Sequence, residues 1–285
     1  MKILKEFGYT SLPISFSEGN HTYRLDGVYL AGVSSLIGRK DKDWKVAWAL
    51  KESAKFLKSV WLPNKIYTTT EIDELIKNSK SAYLKKSGKA IDGGKIGHAL
   101  IEESIITGTR INPQDIYKMS IDDNIKYEVF NIYSNWLLWE SHHNVEYLAV
   151  ELILGDKELW VAGTADCIAI VDGELNLIDW KSSQRFSEDI CIQTAVYVYM
   201  LKKGGVTGNI IRRGVRLDKG IDQEGKPIKN YKPSYLPEND LIIPTDYDQD
   251  LECFFGLKKV DKWIKYIEKN FMVMDESKKF KKLIF

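Results

Sequence analysis

Apolar and β-branched residues form two neighbouring runs in the middle of the chain, residues 159–171 and 175–180. Asp172 and Gly173 lie between the runs, and this dipeptide is the strongest short signal for a two-residue turn between antiparallel strands. Such a turn also fixes which residues of the two strands pair with each other. The pattern therefore predicts a β-hairpin whose pairing continues outward from Asp172 and Gly173.

Continued pairing in that hairpin places Asp166 directly opposite Asp179. Lys181 shares their face of the sheet and Trp180 points to the other side, because side chains alternate along a strand. Two facing carboxylates repel each other unless positive charge lies between them. Mg²⁺ or Mn²⁺ bound by oxygen ligands would supply that charge. The alternative is a solvated surface with an Asp179–Lys181 ion pair, but the apolar flanks of both strands favour a partly buried site.

The next segment has the pattern of a helix that begins at Ser187 as N-cap and ends at Gly204 and Gly205. Gln193 and Tyr197 are four residues apart and lie on one helix face. Because this helix is apolar nearly all round, the alternative for Tyr197 is an ordinary core position.

Residues 90–107 also show helical spacing, with His98 and Glu102 on one face. Three glycines within residues 93–97 leave the start of the helix thin, so another backbone or a substrate can approach closely. Taken alone, His98 is best interpreted as a buried structural histidine. A neutral imidazole is nevertheless a good ligand for Mn²⁺ and tolerable for Mg²⁺.

These motifs together resemble the core of the PD-(D/E)XK nuclease superfamily, in its RecB-type branch, which includes mitochondrial genome maintenance exonucleases and phage exonucleases. The matching motifs are Gly94 to His98, Gly163-Thr164-Ala165-Asp166, Ile178-Asp179-Trp180-Lys181, and Gln193 with Tyr197. The resemblance implies an α/β (α+β) fold with a restriction-endonuclease-like core, a mixed central sheet flanked by helices. It also reverses the interpretation of His98 in favour of a role in metal binding.

The expected reaction is metal-assisted hydrolysis of DNA phosphodiester bonds. The predicted catalytic residues are Asp166, Asp179 and Lys181. The predicted ligands of Mg²⁺, which Mn²⁺ can replace, are His98, Asp166, Asp179 and the carbonyl of Trp180. The predicted DNA contacts are Gln193, Tyr197 and Arg213. Lys181 is expected to position the attacking water or to stabilise developing negative charge.

Glu151 lies on the preceding strand, predicted over residues 145–154, and family members have a glutamate at this place. If residues 155–156 form a two-residue turn, Glu151 pairs with Trp160, which is roughly 20 Å along the strand from Asp166. This register predicts that Glu151 does not bind the same ion, although a bulge would change the result.

We expect two parts in the chain: residues 1–89, an N-terminal hairpin and helical DNA-binding addition, and residues 90–285, the nuclease core. Residues 15–30 alternate between turn signals and predict a hairpin or meander, and residues 44–61 and 71–84 predict helices. The other expected elements are a helix at 121–143, a strand at 209–217, a loop at 218–239, a helix at 253–272 and a basic tail at 278–282.

Charge gives only local signals of DNA binding, because 41 Lys and Arg residues nearly balance 40 Asp and Glu residues. Between residues 51 and 95, ten lysines accompany five acidic residues; Trp61 and Tyr83 are interleaved with them, and Trp48 lies just before. This segment fits a strand-binding surface with bases on the rings, or a solvated helix face with the rings in the core. A second basic excess at residues 202–229 includes Arg213, for which we expect a phosphate contact.

The chain has no run of eighteen apolar residues, and its N-terminus does not resemble a signal peptide. Three scattered cysteines indicate a reducing compartment and cannot supply the four ligands of the iron–sulfur cluster that some RecB-type relatives hold. We therefore expect a cytoplasmic protein of a bacterium or a phage-infected cell, with no membrane contact and no cluster.

The most specific expectation is a Mg²⁺-dependent DNA exonuclease that acts from single-stranded ends in replication, recombination or phage DNA processing. The alternatives are a non-catalytic DNA-binding module on a nuclease scaffold and a structure-dependent endonuclease. Retention of Asp166, Asp179 and Lys181 together favours an active enzyme.

Overall fold

A mixed sheet of eight strands lies at the centre of the computed structural model, which describes residues 6–40, 43–222 and 224–271. The strands are β1 (Ile14–Ser17), β2 (Thr22–Leu25), β3 (Val28–Gly32), β4 (Val145–Asp156), β5 (Val161–Val171), β6 (Glu174–Lys181), β7 (Ile211–Arg216) and β8 (Asp240–Ile242). Their order is β1-β2-β3-β5-β6-β7-β8, and β4 pairs with β5. Parallel and antiparallel pairs are both present, so the predicted mixed α/β fold is confirmed.

Helices cover both faces of this sheet. They are α1 (Val33–Ile37), α2 (Asp43–Val60), α3 (Thr69–Thr107), α4 (Asp123–Ser141), α5 (Asp189–Lys203) and α6 (Tyr247–Phe271), with short 3₁₀ turns at Pro113–Lys118 and Pro237–Asn239. Helices α1, α5 and α6 share one apolar core with Ile168 and Leu177 of the sheet. Helices α3 and α4 share the other core with Cys167 and Ile178. The two cores fix which face of each strand a functional side chain can occupy.

The β5–β6 hairpin has the predicted turn and register. Asp172 and Gly173 have φ angles of 52° and 90°, the left-handed conformation that this type of turn requires. Pairing runs from Val171 with Glu174 to Cys167 with Ile178 and stops one pair before the predicted contact of Asp166 with Asp179.

The sheet forks beside Asp166. Strand β4 occupies one edge of β5 over its whole length, so β3 and β6 must both pair with the other edge. Strand β3 covers that edge at Val161 and Ala162, and β6 covers it from Cys167 onward. Among the described residues, positions 163–166 therefore have no strand partner on that edge. The gap between β3 and β6 creates a place for a functional site inside the sheet.

The β4–β5 connection differs from the expected one. Strand β4 continues through Asp156, which pairs with Val161, so the turn consists of residues 157–160 and not 155–156. A β-bulge between Tyr147 and Ala149 shifts the register further along the strand. The prediction that Glu151 pairs with Trp160 is wrong.

The helices largely match the expected segments, with two corrections. The predicted helices at residues 71–84 and 90–107 are parts of the single helix α3. Helix α5 begins after Glu188, without a side-chain cap, and not at Ser187. Gly97 allows close packing of α3 on α4, since an added Cβ would lie 2.6 Å from Cγ2 of Ile132, but this neighbour is a side chain and not the predicted backbone or substrate.

The N-terminal strands belong to the same sheet as the predicted nuclease core, because β3 pairs with β5. Residue 89, the predicted boundary of the two parts, lies within α3. The basic tail at residues 278–282 lies outside the described residues. Within the described ranges, no helix combines the length and apolar character needed to span a bilayer.

Candidate active site

Asp166 lies at the fork and is tied to the neighbouring strand through its side chain. Its Oδ2 accepts a hydrogen bond of 2.8 Å from the backbone N–H of Trp180. The N–H and C=O of one residue in an extended strand point to the same side, so the Trp180 carbonyl also faces the fork. The Trp180 ring packs in the core against Trp139, with ring centroids 5.1 Å apart. The predicted orientation of Trp180, with its side chain away from the site, is confirmed.

Asp179 is almost fully buried, with 1% of its surface exposed. Its Oδ2 forms an ion pair with Lys181 Nζ at 2.6 Å, and among the described residues neither carboxylate oxygen has a partner with hydrogen-bond geometry. Burial raises the pKa of Asp179 to about 6; Lys181 opposes this shift and Asp166 adds to it. Burial likewise raises the pKa of Asp166, against the opposing effects of Lys181 and the Trp180 N–H. The two carboxylates are therefore close enough to influence each other's protonation.

Lys181 connects the carboxylates to helix α5. Its Nζ donates a hydrogen bond of 3.2 Å to Gln193 Oε1, and Gln193 Nε2 donates one of 3.4 Å to the Tyr197 hydroxyl. Burial alone would lower the pKa of Lys181, but the negative charges of Asp179 and Asp166 outweigh it and raise the pKa. Lys181 is therefore a protonated point charge.

Tyr197 supports this chain of contacts from within the core. It is 2% exposed, and its ring covers Gly163, where an added Cβ would lie 2.7 Å from Tyr197 Cε1. The burial agrees with the core interpretation of Tyr197 and does not support the predicted contact between its hydroxyl and DNA. Gln193 is only partly buried and remains a predicted DNA contact.

His98 brings an imidazole from α3 to the same place. Its Nε2 is buried and has no hydrogen-bond partner in the described part of the chain. Burial lowers the pKa of His98 to about 4; Lys181 and Lys219 lower it further, while Asp179 opposes them. The imidazole is therefore neutral near pH 7 and has a nitrogen available for a ligand.

The donor atoms of this site fit the chemistry of Mg²⁺ and Mn²⁺, which prefer carboxylate and carbonyl oxygens and accept imidazole. Asp179 Oδ1 and His98 Nε2, which have no hydrogen-bond partner among the described residues, agree with that role. Nowhere in the described ranges do three His, Cys, Asp or Glu side chains stand together in a group that could hold a metal ion. Because Mg²⁺ commonly binds through one or two carboxylates and several waters, Asp166 and Asp179 are the best-fitting ligands.

Glu151 joins the site, contrary to our expectation. The pairs of Val150 with Cys167 and Leu152 with Ala165 place it opposite Asp166. Glu151 keeps contact with solvent, but loss of hydration raises its carboxyl pKa to about 8, with further effects from Asp166 and other nearby acids. The bulge and the longer turn therefore place Glu151 beside Asp166 in the strand register, without completing a group of three ligands with Asp179.

The structure adds Tyr23 to the candidate site. The buried Tyr23 hydroxyl lies 2.9 Å from Oγ1 of Thr164, which shares a strand face with Asp166. The two residues are 141 positions apart, and no pattern in the sequence indicates this contact.

Lys219 is a second cation near His98, and no motif in the sequence indicated it. It is buried, and its Nζ lies 3.1 Å from Glu128 Oε2. A Cβ on Gly94, one helical turn before His98, would lie 4.0 Å from Lys219 Nζ and 2.7 Å from Ser182 Oγ. The glycine therefore permits close packing between α3 and the segment after Lys181.

Arg213 is a correction, because the structure places it in the core and not on a DNA-binding surface. It is 7% exposed, its Nε donates to Asn176 Oδ1 at 3.0 Å, and its Nη1 donates to both Asp240 carboxylate oxygens. Asp240 also bonds Trp139 and His143. Arg213 therefore stabilises a buried polar network. Its burial does not support the phosphate contact that the sequence predicted.

The structure describes part of the lysine-rich segment at residues 51–95, for which the sequence allowed a strand-binding surface. Trp61 is exposed and stacks on Tyr67, with ring centroids 4.7 Å apart, while Trp48 is half-buried. Lys55 forms ion pairs with Glu52 and Glu224. The Tyr83 side chain lies outside the described part of the structure. Strand binding by this surface stays a prediction.

No protein-family model matches the chain, and no curated protein matches it. The interpretation of the site therefore depends on its residues and their geometry.

Proposed function

We propose that the protein is a metal-dependent deoxyribonuclease of the PD-(D/E)XK type, which acts as an exonuclease on DNA with a free single-stranded end. The observation that carries the proposal is the buried fork where Asp166, Asp179 and Lys181 meet. Asp179 contacts the Lys181 ammonium at 2.6 Å, and Asp166 is fixed by the Trp180 N–H. A site of this type, with buried carboxylates of raised pKa, is typical of functional centres.

The roles of the residues follow from their charge states. When bound, Mg²⁺ would polarise the phosphate and lower the pKa of a coordinated water. Lys181 is protonated beside two acids, so it acts as a positive charge on the phosphate and not as a neutral base. Gln193 holds the Lys181 ammonium in place. Neutral His98 offers Nε2 to the metal or to its water.

The rest of the chain supports substrate recognition that does not depend on sequence. The net charge of +1 gives no general attraction to DNA, so phosphate contacts must be local. No motif for reading base edges is present in the sequence. Cleavage should therefore depend on strand ends. The three free cysteines agree with action in a reducing compartment, the cytoplasm of a bacterial or phage-infected cell.

The direct test is release of labelled nucleotides from an end-labelled single-stranded oligonucleotide in Mg²⁺, with EDTA as the metal-free control. We expect release by the wild-type protein in Mg²⁺ and none in EDTA. Asp179→Asn should be inactive, while Asp248→Asn, at an exposed position of α6, should retain full activity. Metal-independent release, or equal activity of both variants, would overturn the proposal.

The same assay separates the two alternatives. Binding of the oligonucleotide without any product in Mg²⁺ or Mn²⁺ would favour a non-catalytic DNA-binding module. Cleavage of a covalently closed single-stranded circle would favour an endonuclease, because a circle offers no end. Labels at the 5′ end and at the 3′ end would give the polarity.

A further inference from the structure

The segments that follow β6 and β7 lie side by side at one end of the sheet, because these two strands are parallel neighbours. The backbone N–H of Leu217 donates to the carbonyl of Lys181 at 2.8 Å and joins the two segments. In α/β sheets, ligands commonly bind beyond the carboxyl ends of parallel strands. Lys181 is the last residue of β6, and the buried Lys219 follows β7 by three positions. The two lysines therefore lie at an end of the sheet that suits a ligand.

Helix α4 holds Lys219 in place through polar side chains on one of its faces. Asn131 Nδ2 donates to the carbonyl of Lys219 at 3.0 Å, and Asn135 Nδ2 donates to the carbonyl of Asp218 at 2.8 Å. Both asparagines are buried, where a polar group is costly unless it is hydrogen-bonded. Glu128, one helical turn before Asn131, lies 3.1 Å from the Lys219 ammonium. The backbone and the side chain of Lys219 are therefore both positioned by α4.

The ammonium of Lys219 lies next to the fork. A Cβ built on Gly94 would lie 4.0 Å from Lys219 Nζ and 2.7 Å from Ser182 Oγ, so both polar groups approach α3 at this glycine. Gly94 and His98 share a helix face, because they are four residues apart. Ser182 directly follows Lys181 in the chain. The Ser182 hydroxyl and the Lys219 ammonium are therefore neighbours beside the candidate metal ligand His98.

We propose that Lys219 and the Ser182 hydroxyl bind the phosphate of the DNA strand that is next to the cleaved one. The inference rests on the proposed nuclease function and adds a second phosphate contact to it. Ammonium and hydroxyl groups both donate to phosphate oxygens. A lysine has three N–H donors, so Lys219 can contact a phosphate while Glu128 remains its partner. Lys181 acts on the cleaved phosphate, and Lys219 then contacts the adjacent one.

The test compares Glu128→Gln with the double variant Glu128→Gln/Lys219→Gln. The single variant keeps the ammonium of Lys219, so the two proteins differ only in this cation. The double variant also avoids a buried carboxylate without its partner, which would destabilise the fold. The control is Asp115→Asn/Lys118→Gln, which removes one charge of each sign from a solvent-exposed ion pair. Circular dichroism and thermal unfolding verify that the variants are folded.

Ser182→Ala tests the same contact without a change to the ion pair. The side chain of Ser182 is only partly buried, so the protein should tolerate the loss of its hydroxyl. We expect this variant to bind DNA about threefold more weakly, as loss of one hydrogen bond would.

DNA affinity is measured by fluorescence anisotropy with a labelled single-stranded oligonucleotide in Ca²⁺, at several salt concentrations. The double variant should bind about tenfold more weakly than Glu128→Gln, as loss of one charge-assisted contact would. Its plot of log K against log salt should be shallower by about 0.7, the contribution of one phosphate contact on a single strand. The control pair should match the wild type in both quantities.

Oligonucleotides with one neutral methylphosphonate linkage locate the contact along the strand. Wild-type affinity should fall when the neutral linkage is next to the cleaved bond, whose position follows from the product length in Mg²⁺. The double variant should be insensitive to that change, because it has already lost the cation. Equal sensitivity of the two proteins at every linkage would show that Lys219 contacts no phosphate.

The outcomes separate this contact from the nuclease function. Equal affinities and salt slopes in Glu128→Gln and the double variant, with wild-type affinity in Ser182→Ala, would overturn the phosphate contact and assign the ion pair to the fold alone. Release of nucleotides by the wild type would then still support the nuclease. A wild-type protein that releases no nucleotide in Mg²⁺ or Mn²⁺ would overturn the proposed function, while weaker binding by the double variant would still assign Lys219 to a phosphate of bound DNA.

Discussion

Glu151 lies opposite Asp166 in the β4–β5 register, between the pairs Val150–Cys167 and Leu152–Ala165, although Glu151 and Asp166 do not themselves form a ladder pair. Glu151 has a φ of 46°, a left-handed conformation that costs a residue with a side chain roughly 1–2 kcal/mol. Strained backbone is concentrated at functional sites, where the surrounding structure maintains it. The strain therefore supports a functional role for Glu151 beside Asp166.

Glu151→Gln should change how stability depends on pH in the metal-free protein. Loss of hydration at the carboxyl group and the neighbouring acids raise the pKa of Glu151 from 4.5 to about 8, although the residue keeps an exposed surface. Between these values the folded protein keeps a proton that the unfolded chain has released, so the free energy of unfolding falls as pH rises. The variant should therefore match the wild type below pH 4.5 and be more stable above pH 8. Thermal unfolding in EDTA across this range is the measurement, and parallel pH profiles would contradict the expectation.

Lys181→Met should reduce nuclease activity by about 100- to 1,000-fold, the usual effect of removing one group that stabilises transition-state charge. The variant keeps the apolar stem and loses the ammonium that contacts Asp179. Initial rates in saturating Mg²⁺ give the result. Lys203→Met is the control, because Lys203 forms a surface ion pair with Glu158. Similar rates in the two variants would show that Lys181 is not a catalytic residue.

The β5–β6 register was predictable because the information is local. Asp172 and Gly173 both adopt positive φ, which their residue types tolerate, and the turn then fixes the pairing. The β4–β5 turn had no such signal, because the residue with positive φ in this turn is Trp160 (φ 56°) and not a typical turn residue such as glycine or asparagine. Gly155 resembled a turn residue, but it lies within β4, where its missing side chain leaves room for Ile14. The contact with Ile14, which is distant in the sequence, therefore explains the glycine at position 155.

Other parts of the site depend on contacts between distant parts of the chain. Tyr23 and Thr164 are 141 positions apart, and their hydrogen bond follows from the pairing of β3 with β5. The burial of Arg213 likewise depends on Asp240 of β8. Charge counts and motif spacing contain no information on such pairs. The sequence therefore predicted Asp166, Asp179, Lys181, His98 and Gln193 as a group, and it missed Tyr23 and Lys219 beside them.

Gly163→Ala should destabilise the protein by about 1–3 kcal/mol, the usual cost of overpacking a core. The added Cβ would lie 2.7 Å from Cε1 and 2.8 Å from the hydroxyl oxygen of Tyr197, closer than the optimal separation of about 3.5–4.0 Å between carbon atoms. Displacement of Tyr197 should also reduce activity, because its hydroxyl accepts a hydrogen bond from Gln193, which holds Lys181. Urea denaturation and initial rates measure the two effects.

Gly256→Ala is the matched substitution for that test. Gly256 lies inside α6, and a Cβ added there would have no heavy atom of the described structure within 4 Å, apart from the nearby backbone of its own helix and its chain neighbours. Alanine is favoured over glycine in a helix, so this variant should gain about 0.5–1 kcal/mol. The same chemical change should thus have opposite signs at the two sites. No destabilisation at Gly163 would show that Gly163 and Tyr197 pack less tightly than these distances indicate. Destabilisation at Gly256 would show that it is not a valid control.

Arg213→Gln should act on stability and not on DNA affinity. Removing the guanidinium leaves the buried Asp240 carboxylate without its cation, and breaking a buried ion pair in this way costs about 3–5 kcal/mol. Urea denaturation measures that loss. Fluorescence anisotropy with a labelled oligonucleotide in Ca²⁺, at a temperature where the variant is folded, measures DNA affinity, which should equal that of the wild type. Reduced affinity with unchanged stability would instead require Arg213 to leave its network and contact a phosphate.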